Sequence, residues 1–423
     1  MKSNIITALD IGSSCVRAII AKEVGSGRLE IMGMGETPSE GIDRGMVKDI
    51  QALSACVGTA LGEAEKAASV SAQNIFANIT GEHIRTHISD GRISIPSEVP
   101  NEPGEITMEH VEQVINDAKN SVKIQKGFER FRILHGIPHN FIIDSQDDIQ
   151  NPVNMNGFHL IARVYSILSE LTPLRNLSKC IELAGYSIEP ENFVLNHIAN
   201  AAAVLSEDER RLGALVLDIG GSTCDLAIYN RGSLEKVIVV PMAGKNITED
   251  LAIGLKTTLN SAEYIKLEYG NALASSVDQN LEIDVEGISG RSGSRKTQYL
   301  VSHVIQHRVD EMLSLCYEKA KDFYTPELVT AGIVLCGGSA KLTNIDRVLG
   351  DAFNLHVKVA TPDLSRLNGM ISRLEDPAYT TAVGLLYIAA TSEKEAPSKS
   401  FTLPNLGANK FVDKLKKILK DFA

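Results

Sequence analysis

Apolar and polar residues follow the same pattern at two distant places in the chain. "IITALDIGSSCVRAIIAKE" is a pair of β-branched runs around a Gly-Ser turn, which predicts a hairpin, and "RLEIMGMGE" adds a third strand. Far downstream, "LGALVLDIGGSTCDLAIYNRGSLEKVIVVPMAGKNIT" repeats strand, turn and strand. Between them, residues 51–69 read as an Ala-rich helix and "NIFANIT" as a strand. Residues 86–163 change texture. Pro96, Pro100, Pro103, Pro138 and Pro152 fall among short strands and one polar helix near 107–122, which predicts an inserted subdomain. A helical and then apolar pattern resumes over 168–205. Strands alternating with helices in this way predict an α/β protein.

Both hairpins turn on Asp-Ile-Gly followed by hydroxyl residues. A buried strand that ends in Asp is costly unless the carboxylate faces something. Gly12, Gly220 and Gly221 let backbone approach a ligand, while Ser13, Ser14, Ser222 and Thr223 add donors, so each turn makes an anion-binding concavity. Asp10 and Asp218 would repel phosphate directly, but through waters they can hold Mg²⁺. One such turn alone reads as a plain hairpin; two, each inside an apolar hairpin, point to a clamp for nucleotide phosphates. Neither G-x-x-x-x-G-K-[ST] nor a strand-linked G-x-G-x-x-G occurs.

"TAGIVLCGGSAKLTNID" predicts a buried strand, a Gly-Gly turn and a helix capped by Ser, Thr or Asn. Gly337 and Gly338 present bare backbone against which a base or ribose could lie, although a plain strand–helix turn would read the same way. In "SAEYIKLEYG", Glu263 and Lys266 share one helix face at i, i+3. They suit contact with ribose and base, or, taken alone, form a solvated ion pair.

The chain ends on "ANKFVDKLKKILKDFA". Phe411, Val412, Leu415, Ile418, Leu419 and Phe422 form one apolar stripe at helical spacing, flanked by lysines that include Lys414 and Lys417. A helix docked on its own domain would show the same stripe. Charge changes that picture: the formal net charge is −11, residues 409–423 carry +3, and the body therefore carries −14. An acidic body argues against nonspecific nucleic-acid binding. Composition is ordinary for a globular chain of 423 residues, at 43% hydrophobic and 22% charged, and long enough for two lobes. Six scattered cysteines without C-x-x-C read as core thiols in a reducing compartment. The opening residues lack a signal peptide's apolar core, and no run approaches the roughly 20 residues that span a bilayer. These features predict a cytoplasmic protein.

Two D-x-G-x-[ST] hairpins, an A-E-x-x-K helix and a G-G-S-A turn, in that order, resemble the actin/DnaK-chaperone/sugar-kinase ATPase fold. "GIDRGMVKD", "NPVNMNGFHL", "GIVLCGGSA", "DPAYTTAVGLLYIA" and the basic C-terminal helix together resemble the FtsA family of bacterial division proteins over essentially the full length. The insertion's place agrees: only "TPSEGIDRGMVKD" separates the third strand from the next helix, and the extra module follows the strand at 74–80, where FtsA carries its 1C subdomain. A DnaK-type or MreB-like module without membrane tethering, and a PilM-like scaffold for pilus assembly, are the rival readings.

The resemblance implies a two-lobed α/β chain: 1A at 1–85 and 164–205, 1C at 86–163, 2A at 206–248 and 330–392, and 2B at 249–329. A linker at 393–406 and an amphipathic membrane-targeting helix at 407–423 would follow. It implies ATP and Mg²⁺ as cofactors and adds Gly244 and Ser339 to the nucleotide residues. Implied partners are the FtsZ C-terminal tail, further copies in a filament, later division proteins at 1C, and an anionic membrane surface. The implied place is the cytoplasmic face of the inner membrane at the septum. For the FtsZ tail, Arg308 and then Arg295 suit pairing with a carboxylate, though a solvated basic loop explains "GRSGSRKTQ" as well. Related ATPases carry a Glu, Gln or Asp before the second phosphate turn; here "NFVLNHIANAAAVL" offers only Asn196, His197 and Asn200, so hydrolysis should be slow.

The tail's energetics are close to balance. Six apolar side chains contribute about 6–12 kcal/mol at about 1–2 each. Attraction of a +3 segment to an anionic leaflet adds about 3 kcal/mol, and ordering roughly 14 residues costs about 14 kcal/mol. A lone tail should bind weakly, and several on one polymer should bind well.

Overall fold

The computed structural model describes residues 4–25 and 27–392. Strands β1 (Ile5–Ile11), β2 (Cys15–Glu23) and β3 (Leu29–Pro38) form an antiparallel meander. A small hairpin of β4 (Ile42–Asp43) and β5 (Met46–Val47) then leads into helix α1 (Ile50–Ala68). Asp49 caps α1 by accepting from the backbone N–H of Gln51 and Ala52. The buried face of α1 includes Ala60, Ala64 and Ala68, small enough for β3 to approach closely. A Cβ at Gly35 would lie 2.0 Å from the Ala60 carbonyl oxygen. Strand β6 (Ile75–Ile79) returns parallel to β1.

His83–Arg175 form the greater part of a second compact unit. Strand β7 (Ile84–Ser94), the short β8 (Gly104–Glu105) and helix α2 (Met108–Lys123) are followed by β9 (Phe131–Ile143), β10 (Gln146–Ile149), β11 (Asn156–Gly157) and β12 (His159–Glu170). The three long strands and the short β10 make an antiparallel sheet in the order β10-β9-β12-β7, and α2 lies on it. Val111, Val114 and Ala118 of α2 meet Phe141, Leu160 and Val164 in a core of this unit's own. Thr107 and His110 close a capping box at the start of α2.

Helix α3 (Leu171–Leu183), β13 (Phe193–Leu195) and α4 (Asn196–Val204) complete the first lobe, and α5 (Glu207–Leu212) leads away from it. The second lobe opens with β14 (Ala214–Ile219), β15 (Cys224–Asn230) and β16 (Ser233–Val240). Helices α6 (Gly244–Leu255) and α7 (Leu259–Tyr269), a ribbon of β17 (Glu282–Val285) with β18 (Ser294–Thr297), and the long α8 (Gln298–Ala320) follow. Strand β19 (Ile333–Cys336), α9 (Ile345–Phe353), β20 (Val357–Val359), β21 (Leu367–Gly369) and α10 (Thr380–Ser392) close the chain's described part.

The two sheets share one plan. The first runs β13-β6-β1-β2-β3 with β21 added at its edge, and the second runs β20-β19-β14-β15-β16. In each, two strands lie parallel to the first strand of a meander. The sequence echo thus extends to the whole sheet. It places equivalent residues at equivalent points: Asp10 opposite Arg17 in one hairpin, and Asp218 opposite Asp225 in the other.

Candidate functional site

The two echoing turns meet. Gly12 N–H donates to the Cys15 carbonyl at 3.1 Å and Gly220 N–H to that of Thr223 at 3.0 Å, closing each turn. Across the gap, Ser13 Oγ and Ser222 Oγ lie 2.6 Å apart in a hydrogen bond. A Cβ at Gly221 would lie 2.3 Å from Ser14 Oγ and 3.2 Å from its backbone N, so a side chain there would have to displace the Ser14 hydroxyl. Thr223 is buried beside Ser222.

The second turn also carries the start of α6. Gly244 and Lys245 N–H groups donate to the Gly220 and Gly221 carbonyls at 3.2 and 2.7 Å. Ser339 Oγ donates to the Gly220 carbonyl at 3.0 Å. Lys266 reaches the same place, with Nζ donating to the Gly244 carbonyl at 3.1 Å, Thr248 Oγ1 at 2.9 Å and Glu263 Oε2 at 2.7 Å. Glu263 also accepts from the Thr248 hydroxyl. The Glu263–Lys266 pair is therefore tied to the turn, with the lysine mostly buried. Gly337 has φ +88°, and a Cβ there would lie 2.0 Å from Asp218 Oδ1. At Gly338 a Cβ would meet nothing nearer than the Ala378 Cβ at 3.9 Å, which leaves clear space above this backbone.

The expected helix after this turn starts later than the sequence suggests. Gly338–Lys341 make a 3-10 turn, and Asn344, at the N-cap of α9, adopts φ 62° and makes no capping bond. Its amide instead donates to Asn271 Oδ1 and Ser276 Oγ.

Beneath the turns lie three buried acids. Asn78 Nδ2 donates to Asp10 Oδ1 at 2.9 Å, and Arg17 stands 3.8 Å from Asp10 while holding Glu36 at 2.8 Å. Asn200 Nδ2 donates to Asp218 Oδ2 at 2.7 Å and is itself fixed by the Thr381 hydroxyl. Asp225 accepts from the Thr80 hydroxyl at 2.7 Å and Asn196 Nδ2 at 3.1 Å. Each carboxyl is pushed up to about 7. Burial is the main cause in all three. The nearby Asp218 adds to it for Asp10, against Arg17, and Asp225 adds to it for Asp218. Such a set favours a bound cation. Among the described residues, no group of three or more His, Cys, Asp or Glu is placed to hold a metal ion directly. Mg²⁺ usually keeps several waters and takes one or two carboxylates, a number that Asp10 and Asp218 could supply.

Sequence reasoning stopped at the turns and missed Arg17, Asp225, Asn78, Thr80 and Thr381. The strand register supplies Arg17 and Asp225, each opposite a motif aspartate, and Asn78 was visible as a lone polar residue inside an apolar strand. Of the three residues in the hydrolysis position, Asn196 and Asn200 hold acids. His197 is buried, with Nε2 on the Ile238 carbonyl at 3.0 Å and its pKa pushed down to about 4 by desolvation.

Elsewhere in the second lobe, Arg308 makes a bidentate pair with Asp250, at 2.5 and 2.9 Å, and meets Glu311 at 2.7 Å. Arg295 on β18 pairs with Asp284 at 3.0 Å and Glu282 at 3.4 Å and is exposed. A partner carboxylate at either arginine would compete with these acids. Phe411, Val412, Lys414, Leu415, Lys417, Ile418, Leu419 and Phe422 lie outside the described residues.

Among solved structures, the chain is similar to that of a PilM-PilN type IV pilus biogenesis complex (TM-score 0.61, 16% identity, covering 91% of this chain and 98% of that one). It is also similar to MreB5 of Spiroplasma citri bound to ADP (TM-score 0.51, 15% identity, covering 93% and 99%). The two-lobed α/β chain with an inserted subdomain thus has the actin-like ATPase fold. Residues 215–384 match the family model described as cell division protein FtsA, and residues 81–168 match the SHS2 domain inserted in FTSA. The cell division protein FtsA of Neisseria meningitidis serogroup B is 34% identical over 395 residues, covering 93% of this chain and 92% of that protein. The chain belongs to the FtsA family of cell division proteins.

Proposed function

We propose that this division protein binds ATP with Mg²⁺ at the paired turns and tethers FtsZ filaments to the cytoplasmic face of the inner membrane at the septum. The observation that carries the nucleotide reading is the Ser13–Ser222 junction of two matching turns above three buried acids. In this reading Ser13, Ser14, Ser222 and Thr223 bind phosphates, and Asp10 and Asp218 hold Mg²⁺ through water, which neutralises the phosphate charge. The ribose and base lie over Gly338, bordered by Gly244, Ser339, Glu263 and Lys266. The solved MreB5 with ADP supports the choice of an adenine nucleotide.

Hydrolysis is slow in this reading. A neutral His197 is committed to a backbone carbonyl, and the Asn196 and Asn200 amides accept no proton at neutral pH. Nucleotide then acts as a clamp that favours polymerisation of further copies. The inserted unit is the surface offered to later division proteins, and the basic segment 407–423 anchors the filament to anionic lipid. A PilM-type pilus scaffold is the weaker reading, supported by fold alone.

The membrane part is tested by pelleting with anionic liposomes, comparing the full chain with one ending at residue 392, with and without FtsZ. The full chain should sediment with liposomes and carry FtsZ down, and the shortened chain should do neither. Equal sedimentation of the two would sink the tether. For the FtsZ tail, Arg308→Glu should weaken peptide binding about tenfold or more, by losing a bidentate cation. Because the change also strands Asp250, an Asp250→Asn variant serves as control: it leaves Arg308 with Glu311 alone and should tighten binding. Unchanged peptide affinity in both would remove Arg308 from the interface.

A further inference from the structure

The hairpin β4–β5, from "GIDRGMVKD", has no part in the clamp described so far, yet its tip touches the clamp's centre. Arg44 N–H donates to Ser222 Oγ at 2.7 Å, the same hydroxyl that bonds Ser13. Both residues of its two-residue turn have positive φ, 51° at Arg44 and 72° at Gly45. That is the pattern of a type I′ hairpin, where Asn or Asp normally precedes Gly. Arginine there is strained, and such strain gathers at functional positions.

The hairpin is held at both ends. A Cβ at Gly45 would lie 1.9 Å from the Thr80 carbonyl oxygen, and one at Gly41 would lie 2.3 Å from that of Asp49. Thr80, in turn, holds Asp225 through its hydroxyl. The tongue therefore sets the Arg44 backbone N–H at the junction of the turns and its side chain within a residue of it. Its guanidinium meets the adjacent Asp43 at 3.6 Å, and both side chains are about half exposed, so that pair is cheap to break. Along the site, Ser339 and Gly244 border Gly220, whereas Arg44 borders Ser222, two residues further along the second turn.

We infer that Arg44 binds the terminal phosphate of a nucleoside triphosphate and so distinguishes triphosphate from diphosphate. This rests on the nucleotide reading above. A guanidinium makes bidentate hydrogen bonds to phosphate oxygens and neutralises the charge that a diphosphate lacks.

The test measures binding of ATP and ADP, each with Mg²⁺, to the full chain and to Arg44→Ala and Arg44→Asn variants, together with the melting temperature without nucleotide. Asparagine suits the turn, so that variant keeps the hairpin while losing the cation. ATP should bind about tenfold or more weakly in both variants, with ADP changed less than about twofold and nucleotide-free melting not lowered in the Arg44→Asn variant. Equal losses for ATP and ADP, or none, would overturn the assignment while leaving the nucleotide site standing. A wild-type chain that binds neither nucleotide would overturn both.

Discussion

Alanine at position 337 is expected to cripple the fold, and alanine at 338 to cripple only nucleotide binding. At Gly337 a Cβ would overlap Asp218 Oδ1 at 2.0 Å and the Ile219 carbonyl oxygen at 2.7 Å, in a backbone with φ +88°. Strain and overpacking together should cost about 3–5 kcal/mol, a large share of a typical folding free energy. Gly338→Ala meets no protein atom closer than 3.9 Å, so its melting temperature should match wild type. Its ATP affinity should nevertheless fall about tenfold or more, because the added methyl stands where a base or ribose would lie. Calorimetry and ATP titration on the two variants check this. A Gly338→Ala protein with unchanged ATP affinity would remove the base from that surface.

Asp225→Asn is expected to stabilise the protein as pH rises. Asp225, with a pKa of about 7 against an ordinary 3.8, holds its proton more tightly folded than unfolded. Its contribution to stability is therefore full below about pH 4, declines as pH climbs toward 7, and is gone above that. The same holds for Asp10 and Asp218. Two buried histidines, His83 and His197, and the half-buried His135 are pushed down to about 4 by desolvation and act in the opposite sense below their ordinary 6.5. Comparison with the variant isolates the acid. From about pH 6 to 8, Asp225→Asn should gain about 1 kcal/mol or more over wild type, since it also relieves Asp218. Added Mg²⁺ with ATP should erase that gain. Denaturation curves that stay parallel across this range would show that Asp225 is already ionised in the folded protein and that its pKa is not raised.

The hairpins, the insertion and the fold class were legible because each rests on local pattern. Asp-Ile-Gly between apolar runs has few folded solutions, and a second copy removes most of the ambiguity. The partners of the acids were less legible. Asn78, Asn200 and Thr381 come from a strand and two helices far apart in sequence, and no local period marks a side chain that supports another element's carboxylate. Lys266 shows the same limit. Its spacing from Glu263 fits an ordinary ion pair, and only the packing of α6 on α7 turns it toward Gly244. Arg308 was read as a free cation because Asp250, its bidentate partner, lies a full helix and ribbon upstream.

One cross-strand difference between two otherwise matching sheets has a wider consequence. Where the first hairpin sets Arg17 opposite its aspartate, the second sets Asp225. A perfectly duplicated cradle would accept a phosphate chain in either sense. With one wall electrically compensated and the other acidic, the cradle has a head and a tail. In the nucleotide reading proposed above, a divalent ion between Asp10 and Asp218 would sit toward the uncompensated Asp218 side, and the molecule threaded between the turns would thereby be given a direction.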